Sequence, residues 1–343
     1  MIKSHYLSLT TFVCGVLLGM NAAGNAQEWT RFRGPNGTGI GLAKGIPSKF
    51  TVDDADWRVA LKGEGHSSPV LWGGRVFVTG SNRAKGTFIV QCLRAKDGSE
   101  AWSVSRPQKS YRMHQYNHLT SSTPATDGKQ LVVLVSEPEA QTVFAVDLEG
   151  EKLWERKFET IISNHGGGVS PIFYGDRVIL AGDEESRSFL TALDAASGNV
   201  LWKTDRANVK AAFSTPCRFV DPSGTEGLLF NSMAHGITFV DPSTGKTFWE
   251  QVDLFDKRTV SSCLVVDGLV IGTCGSGGGG NYLVALKPGS AAKGASPSLE
   301  YKLRRSIPYV PTSLAKDGLL FLWGDSGIVT CVRGKSGEIV WQE

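Results

Sequence analysis

"ALDAASGNVLW", residues 192–202, is an apolar stretch, a Ser-Gly turn and a strand closed by tryptophan. The same phrase returns as "CLRAKDGSEAW" at 92–102, "FVDPSTGKTFW" at 239–249 and "CVRGKSGEIVW" at 331–341, with a shorter form, "AVDLEGEKLW", at 145–154. In all five the glycine precedes the tryptophan by four positions. Apolar–turn–apolar is the pattern of a β-hairpin, and its repetition marks a repeat architecture.

A second phrase opens each unit: "HSSPVLW" at 66–72, "SSTPATD" at 121–127, "GVSPIFY" at 168–174 and "FSTPCRF" at 213–219, decayed to "VSSCLVV" at 260–266 and "YVPTSLA" at 309–315. Marked at positions 69, 124, 171, 216, 263 and 311, the units are spaced by 45 to 55 residues, the length of a β-propeller blade. Each reads as four short strands with tight turns at Gly73-Gly74, Asp127-Gly128, Gly175-Asp176, Asp267-Gly268 and Asp317-Gly318. The expected fold is therefore all-β, a propeller of four-stranded antiparallel blades with six blades visible. Trp102, Trp154, Trp202, Trp249 and Trp341 are expected to dock each blade on its neighbour, each buried ring worth roughly 2–3 kcal/mol. The fifth unit has drifted to "VALKPGS", with its outer strand in "SLEYKL" and no tryptophan. A β-sandwich pair would not need one phrase repeated at this period.

Residues 1–26 carry Lys3, an apolar run from about Tyr6 to Met20 and small residues before Ala26, the make-up of a secretory signal peptide. Cys14 lies inside the apolar run and does not read as a lipid-attachment site. Residues 27–56 form an N-terminal extended segment and 57–343 the propeller, with six repeats over 62–343. A net charge of +3 with no basic block gives no nucleic-acid signature. Cys92, Cys217, Cys263, Cys274 and Cys331 are odd in number and lack any Cys-x-x-Cys. Cys92 and Cys331 occupy the slot of Ala145 and Ala192, so they read as small buried side chains.

The Gly-x-x-x-Trp phrase after "ALD" resembles the tryptophan-docking motif of PQQ-like β-propellers, a group that includes quinoprotein dehydrogenases and the propeller lipoprotein of outer-membrane β-barrel assembly. "EWTRFRGPNGTGI" at 28–40 and "GEGHSSPV" at 63–70 resemble exported PQQ-binding-like repeat proteins of planctomycete-type bacteria. The resemblance implies eight blades, so six suggest an incomplete eight-bladed ring. "WRVAL" at 57–61 resembles the outer strand of a last blade, supplied from the N-terminus. The competing reading is a six-bladed ring closed by 57–61.

A quinoprotein dehydrogenase would imply adjacent cysteines, a calcium held by Glu, Asn and Asp, and an Asp base. This sequence has no Cys-Cys pair, and the blade-opening phrases carry no carboxylate other than the turn residue Asp127, so PQQ is not the expected cofactor and none is assigned. A hydrolase would need carboxylates converging on the channel. The one run of three consecutive acids, Asp183-Glu184-Glu185, reads as a solvated loop. "GSGGGG" at 275–280 lacks the lysine and helix start of a phosphate cradle. His114 and His118 have a spacing that could hold metal but no third ligand nearby, so no metal site is assigned.

One column is distinctive. Six residues before each blade mark stand His118, His165, Lys210, Lys257 and Arg305, with Lys62 one place earlier in the first unit. These loops are expected to open on one face, giving an electropositive channel mouth for an anionic ligand or acidic partner loop, helped by the backbone of Gly166, Gly167 and Gly168. The functional expectation is an exported, non-catalytic scaffold, periplasmic or secreted, with no membrane span, that binds an envelope protein partner. The alternative is an enzyme of quinoprotein-like or hydrolase type using the central channel.

Overall fold

Six sheets, one per repeat, each pair four strands antiparallel in chain order, so every blade is built from one continuous segment. The computed structural model describes residues 27–343 except Ile161, Asn164 and Asn208; the expected signal peptide, residues 1–26, lies outside them. Blades 1 to 6 span residues 70–107, 125–159, 172–205, 217–251, 264–303 and 314–342. The β-propeller expected from the repeat is the fold.

The recurring phrase has a strict register. Cys92 pairs with Trp102, Ala145 with Trp154, Ala192 with Trp202, Phe239 with Trp249 and Cys331 with Trp341, and each pair is followed by a bulge. The fifth blade keeps this register with Ala285 opposite Tyr301. Cys92, Ala145, Ala192 and Cys331 are all fully buried, which is why small side chains hold the slot.

The closing tryptophans of blades 1 to 3 lie on the phrase of the next blade. The Trp102 indole N–H donates to Leu148 O at 2.7 Å, Trp154 to Ala195 O at 2.8 Å and Trp202 to Pro242 O at 2.9 Å. Beneath each ring lies the phrase glycine of that blade: Gly150, Gly198 and Gly245, where a Cβ would come within 3.0 Å of the ring. The glycine thus serves the turn and supplies the floor for a neighbour's indole. Tyr301 takes the tryptophan's part at the fifth joint, donating to Gly334 O at 2.6 Å with its ring over Gly337. Trp249 is buried in the joint between blades 4 and 5, but its indole N–H finds no acceptor. Trp341 departs from expectation: it is 41% exposed and docks on no blade among the described residues.

The blade-opening phrases form a second set of joints close to the axis. Ser68 N–H donates to Thr123 Oγ1, Thr123 N–H to Ser170 Oγ and Thr215 N–H to Ser262 Oγ, each at 3.0 Å, and Ser262 N–H to Thr312 Oγ1 at 3.2 Å. A hydroxyl from one blade so satisfies a backbone amide of the preceding one, each bond worth about 1 kcal/mol.

Five apolar clusters fill the joints between blades 1–2, 2–3, 3–4, 4–5 and 5–6, and among the described residues none joins blade 6 to blade 1. Blade 6 keeps its own outer strand, Ile339–Gln342, and shows Trp323 62% exposed. Residues 57–61 form no strand, so they do not close a six-bladed ring. Trp57 nevertheless docks as the others do, donating to Ala95 O at 2.9 Å over Gly98. Among the described residues the blades make an open arc.

The arc is held across its axis by the N-terminal segment. Trp29 bridges Leu71 of blade 1 through both backbone groups, and Thr30 O accepts from Thr126 N–H of blade 2. Arg31 reaches Pro216 O at 2.7 Å, and Asn36 exchanges two hydrogen bonds with the Arg218 backbone of blade 4. Arg33 donates to Thr312 O and Ser313 O at the entry to blade 6, at 3.1 and 2.7 Å. The segment turns at 34–37 and returns, Leu42 N–H meeting the Gln27 side chain at 2.5 Å.

Candidate functional site

Loops that carry the chain from one blade's outer strand to the next blade's inner strand open on one face, with the hairpin loops between second and third strands. That geometry follows from four antiparallel strands per blade. At its centre stands a group the sequence column missed by one place. Arg258, 9% exposed, donates to Glu185 Oε1 and to His165 Nε2, each at 3.1 Å, with its guanidinium 6.0 Å from the Phe213 ring. An arginine only donates, so His165 Nε2 is the acceptor and the ring proton sits on Nδ1. His165 stacks on His114 at 5.7 Å and 11°. Burial, then Arg258 and His114, hold its pKa below the usual histidine value, with Lys210 acting the same way and Glu185 opposing.

His118 forms a separate group, bonded to Thr120 Oγ1 at 3.2 Å and 5.6 Å from the His66 ring. Burial, then Arg83 and His66, lower its pKa against the pull of Glu64. His114 and His118 therefore turn to different partners. Lys210 and Arg305 are exposed on the face, and the Lys257 arm passes over Gly280 of the glycine loop. Among the described residues Arg112, Lys210, Lys257 and Arg305 have no carboxylate within 4.0 Å. A depression of about 630 Å³ on this face is lined by Arg112, Met113, His114, Gln115 and His165.

Three expectations are corrected. Lys62 is not at the mouth: its ammonium lies 2.6 Å from both Glu100 Oε1 and Ser103 Oγ, turned onto the flank of blade 1. Gly166, Gly167 and Gly168 form no open cradle, since a Cβ on Gly167 would strike Ser136 and one on Gly168 would crowd Phe213. Asp183 and Glu184 are not solvated but 5% and 2% exposed. Asp183 pairs with Arg206 Nε at 3.0 Å, while Glu184 accepts from Ser163 N–H at 3.2 Å and from the Gln141 amide at 3.3 Å. Burial pushes the Glu184 carboxyl up to about 8. "GDEESRS" reads as polar because all three acids sit together; the signal for burial was the strand on each side and the arginines at 206 and 258.

On the inner side of the blades the N-terminal segment lies against the first strands of blades 1, 2 and 4 and the entry to blade 6. What stands on this side is the hydroxyls of the opening phrases and the Arg31 and Arg33 guanidiniums, both bonded to carbonyls. Burial pulls the Arg31 pKa down to about 10. Guanidiniums bonded to carbonyls are a poor fit for a calcium–quinone cofactor, because calcium takes oxygen ligands, carboxylates among them.

Comparison with known proteins agrees with the fold. Over 225 residues the chain is 26% identical to outer membrane protein assembly factor BamB of Moranella endobia (strain PCIT), covering 63% of this chain and 53% of that protein, so the match spans about half the relative's length. The crystal structure of BamB from Moraxella catarrhalis superposes with a TM-score of 0.57 at 15% identity, over 83% of this chain and 74% of that one. Quinohemoprotein alcohol dehydrogenase from Comamonas testosteroni superposes with 0.58 at 12% identity, over 80% and 58%. Likeness at that identity speaks for the fold alone. The family described as outer membrane protein assembly factor BamB matches residues 54–167 and 142–343, nearly all of the arc. The chain belongs to this family.

Proposed function

We propose that the chain is an exported, non-catalytic scaffold of the cell envelope that holds a protein partner on its loop face, the partner's contact being acidic. The observation that carries this reading is that Arg31 and Arg33 tie the N-terminal segment to the inner ends of blades 4 and 6, while the loop face carries exposed basic side chains. Among the described residues Lys210, Lys257 and Arg305 have no carboxylate within 4.0 Å, and like charges on one face steer an acidic surface toward it. Family membership supports the assembly role, since the related proteins are named assembly factors.

The test is affinity capture from the source envelope with the chain and its Lys210→Gln/Lys257→Gln/Arg305→Gln variant, both checked for equal thermal stability. The expected result is a defined protein retained by the former, released by salt and lost from the variant. Equal retention by both would remove the loop face from the reading. Turnover of an alcohol or sugar with PQQ, Ca²⁺ and an artificial electron acceptor would remove the non-catalytic part.

A further inference from the structure

The joint between blades 1 and 2 differs from the joint between blades 2 and 3 in a way that leaves room. At joint 2–3 the outer strand of blade 2 presents Trp154, Arg156 and Phe158 at alternate positions toward blade 3. Arg156 bonds Gly198 O at 2.7 Å, and Phe158 packs on Phe189 at 5.1 Å, so the joint is closed along its length. At joint 1–2 the matching positions are Trp102, Val104 and Arg106. Val104 is too short to cross, and Arg106 swings over the Phe144 ring at 5.1 Å to reach Glu155. A recess of about 340 Å³ remains at the edge of this joint, rimmed by Arg106, Lys152 and Glu155 and floored by half-buried Val104 and the buried cluster of Phe88, Val90, Phe144 and Val146. Its volume is at the small end of ligand sites, roughly 300–1,000 Å³, enough for a single narrow apolar group.

The mouth carries charge of one sign in excess. Glu155 lies 3.3 Å from Arg106 and 2.9 Å from Lys152, one carboxylate shared by two cations. Both cations hold its carboxyl below the usual range. An apolar recess under one uncompensated positive charge matches a ligand with an apolar body and an anionic end. We infer that the recess between blades 1 and 2 is a binding site for a small single-chain anionic amphiphile, its chain laid over Val104 and the edge of the Phe88–Phe144 pair and its head at Arg106 and Lys152. The site is independent of the loop face and of any protein partner there. Trp102 reports on it, because Gly150, the floor of that indole, also lines the recess.

Decanoate, decanol and decyltrimethylammonium are titrated into the full chain below their self-association concentrations, following the indole N–H resonance of Trp102, assigned with Trp102→Phe. Saturable decanoate binding that shifts this resonance, with weaker binding of decanol and none of the cationic amphiphile, is the expected result. Arg106→Phe supplies the side chain that closes joint 2–3 and should fill the recess, raising the decanoate dissociation constant by about tenfold or more, the loss of a few buried methylenes. Arg106→Gln keeps the recess open and removes one charge, which should weaken decanoate about threefold and leave decanol unchanged. The inference is overturned if decanoate does not saturate, if all three amphiphiles bind alike, or if Arg106→Phe, folded by its resonance dispersion, binds decanoate as the parent does.

Discussion

Trp57 lies on Gly98, and its indole N–H meets Ala95 O at 2.9 Å, although among the described residues no blade stands behind it. Trp102 on Gly150 and Trp154 on Gly198 have the same arrangement, with a whole sheet to hold each indole. A docked aromatic side chain therefore caps the first blade, in place of the neighbour that caps the others.

Trp57→Ala should expose the 95–98 turn of blade 1 and cost about 2 kcal/mol locally. Because each blade contacts only its neighbours, the loss should stay near the end of the arc. Amide hydrogen exchange checks it: faster exchange in blade 1, with blades 4 and 5 unchanged.

Gly198→Ala and Gly175→Ala separate backbone strain from docking. Both glycines have positive φ, +67° and +57°, but a Cβ on Gly175 meets nothing within 4 Å whereas one on Gly198 enters the Trp154 ring. Gly175→Ala should cost about 1–2 kcal/mol from φ alone. Gly198→Ala adds overpacking of a buried joint and should cost about 3 kcal/mol or more. Urea midpoints of the two variants, measured together, decide it.

Glu184 makes stability fall with rising pH. Burial raises its folded pKa to about 8, while unfolded it titrates near the ordinary 4.5, so between those values the folded chain binds the extra proton. The contribution is whole below about 4.5 and is lost as pH rises through about 8, with a limiting slope of about 1.4 kcal/mol per pH unit. Glu184→Gln keeps an oxygen for the Ser163 amide and removes this titration. Denaturation from pH 5 to 9 should show a shallower decline in the variant.

Removing residues 27–42 should widen the arc. Arg33 alone joins the N-terminal segment to Thr312 O and Ser313 O, so Arg33→Ala should produce part of the same effect. Small-angle scattering should give a larger radius of gyration for the deletion, an intermediate one for Arg33→Ala, and the parent value for Lys44→Ala, an exposed residue of the same segment.

The blades were legible because glycine, tryptophan and the small residue opposite it recur at fixed spacing, and each has one steric task. What recurrence hides is which unit a side chain serves. Gly198 and Trp202 are four apart in sequence, yet Gly198 receives Trp154 from the blade before and Trp202 lies on Gly245 of the blade after. The basic column was read by position, but side-chain direction alternates along an extended chain, so Arg258 reaches His165 while Lys257 crosses Gly280. Lys62 left the column because its partner Glu100 lies in the outer strand of its own blade. Residues 28–40 gave a resemblance but no role, since nothing local states that Arg31 will meet Pro216, a contact 185 residues away.

The division of each phrase between two joints has a bearing on how such chains change over generations. A duplicated or deleted unit carries half of the contact on either side, so its ends fit any other unit and the array can lengthen or shorten by whole repeats without retuning. A single substitution has no such freedom. Tyr301 kept the fifth joint by finding Gly334 O for its hydroxyl, so its replacement must be judged by the chemistry of the repeat that follows.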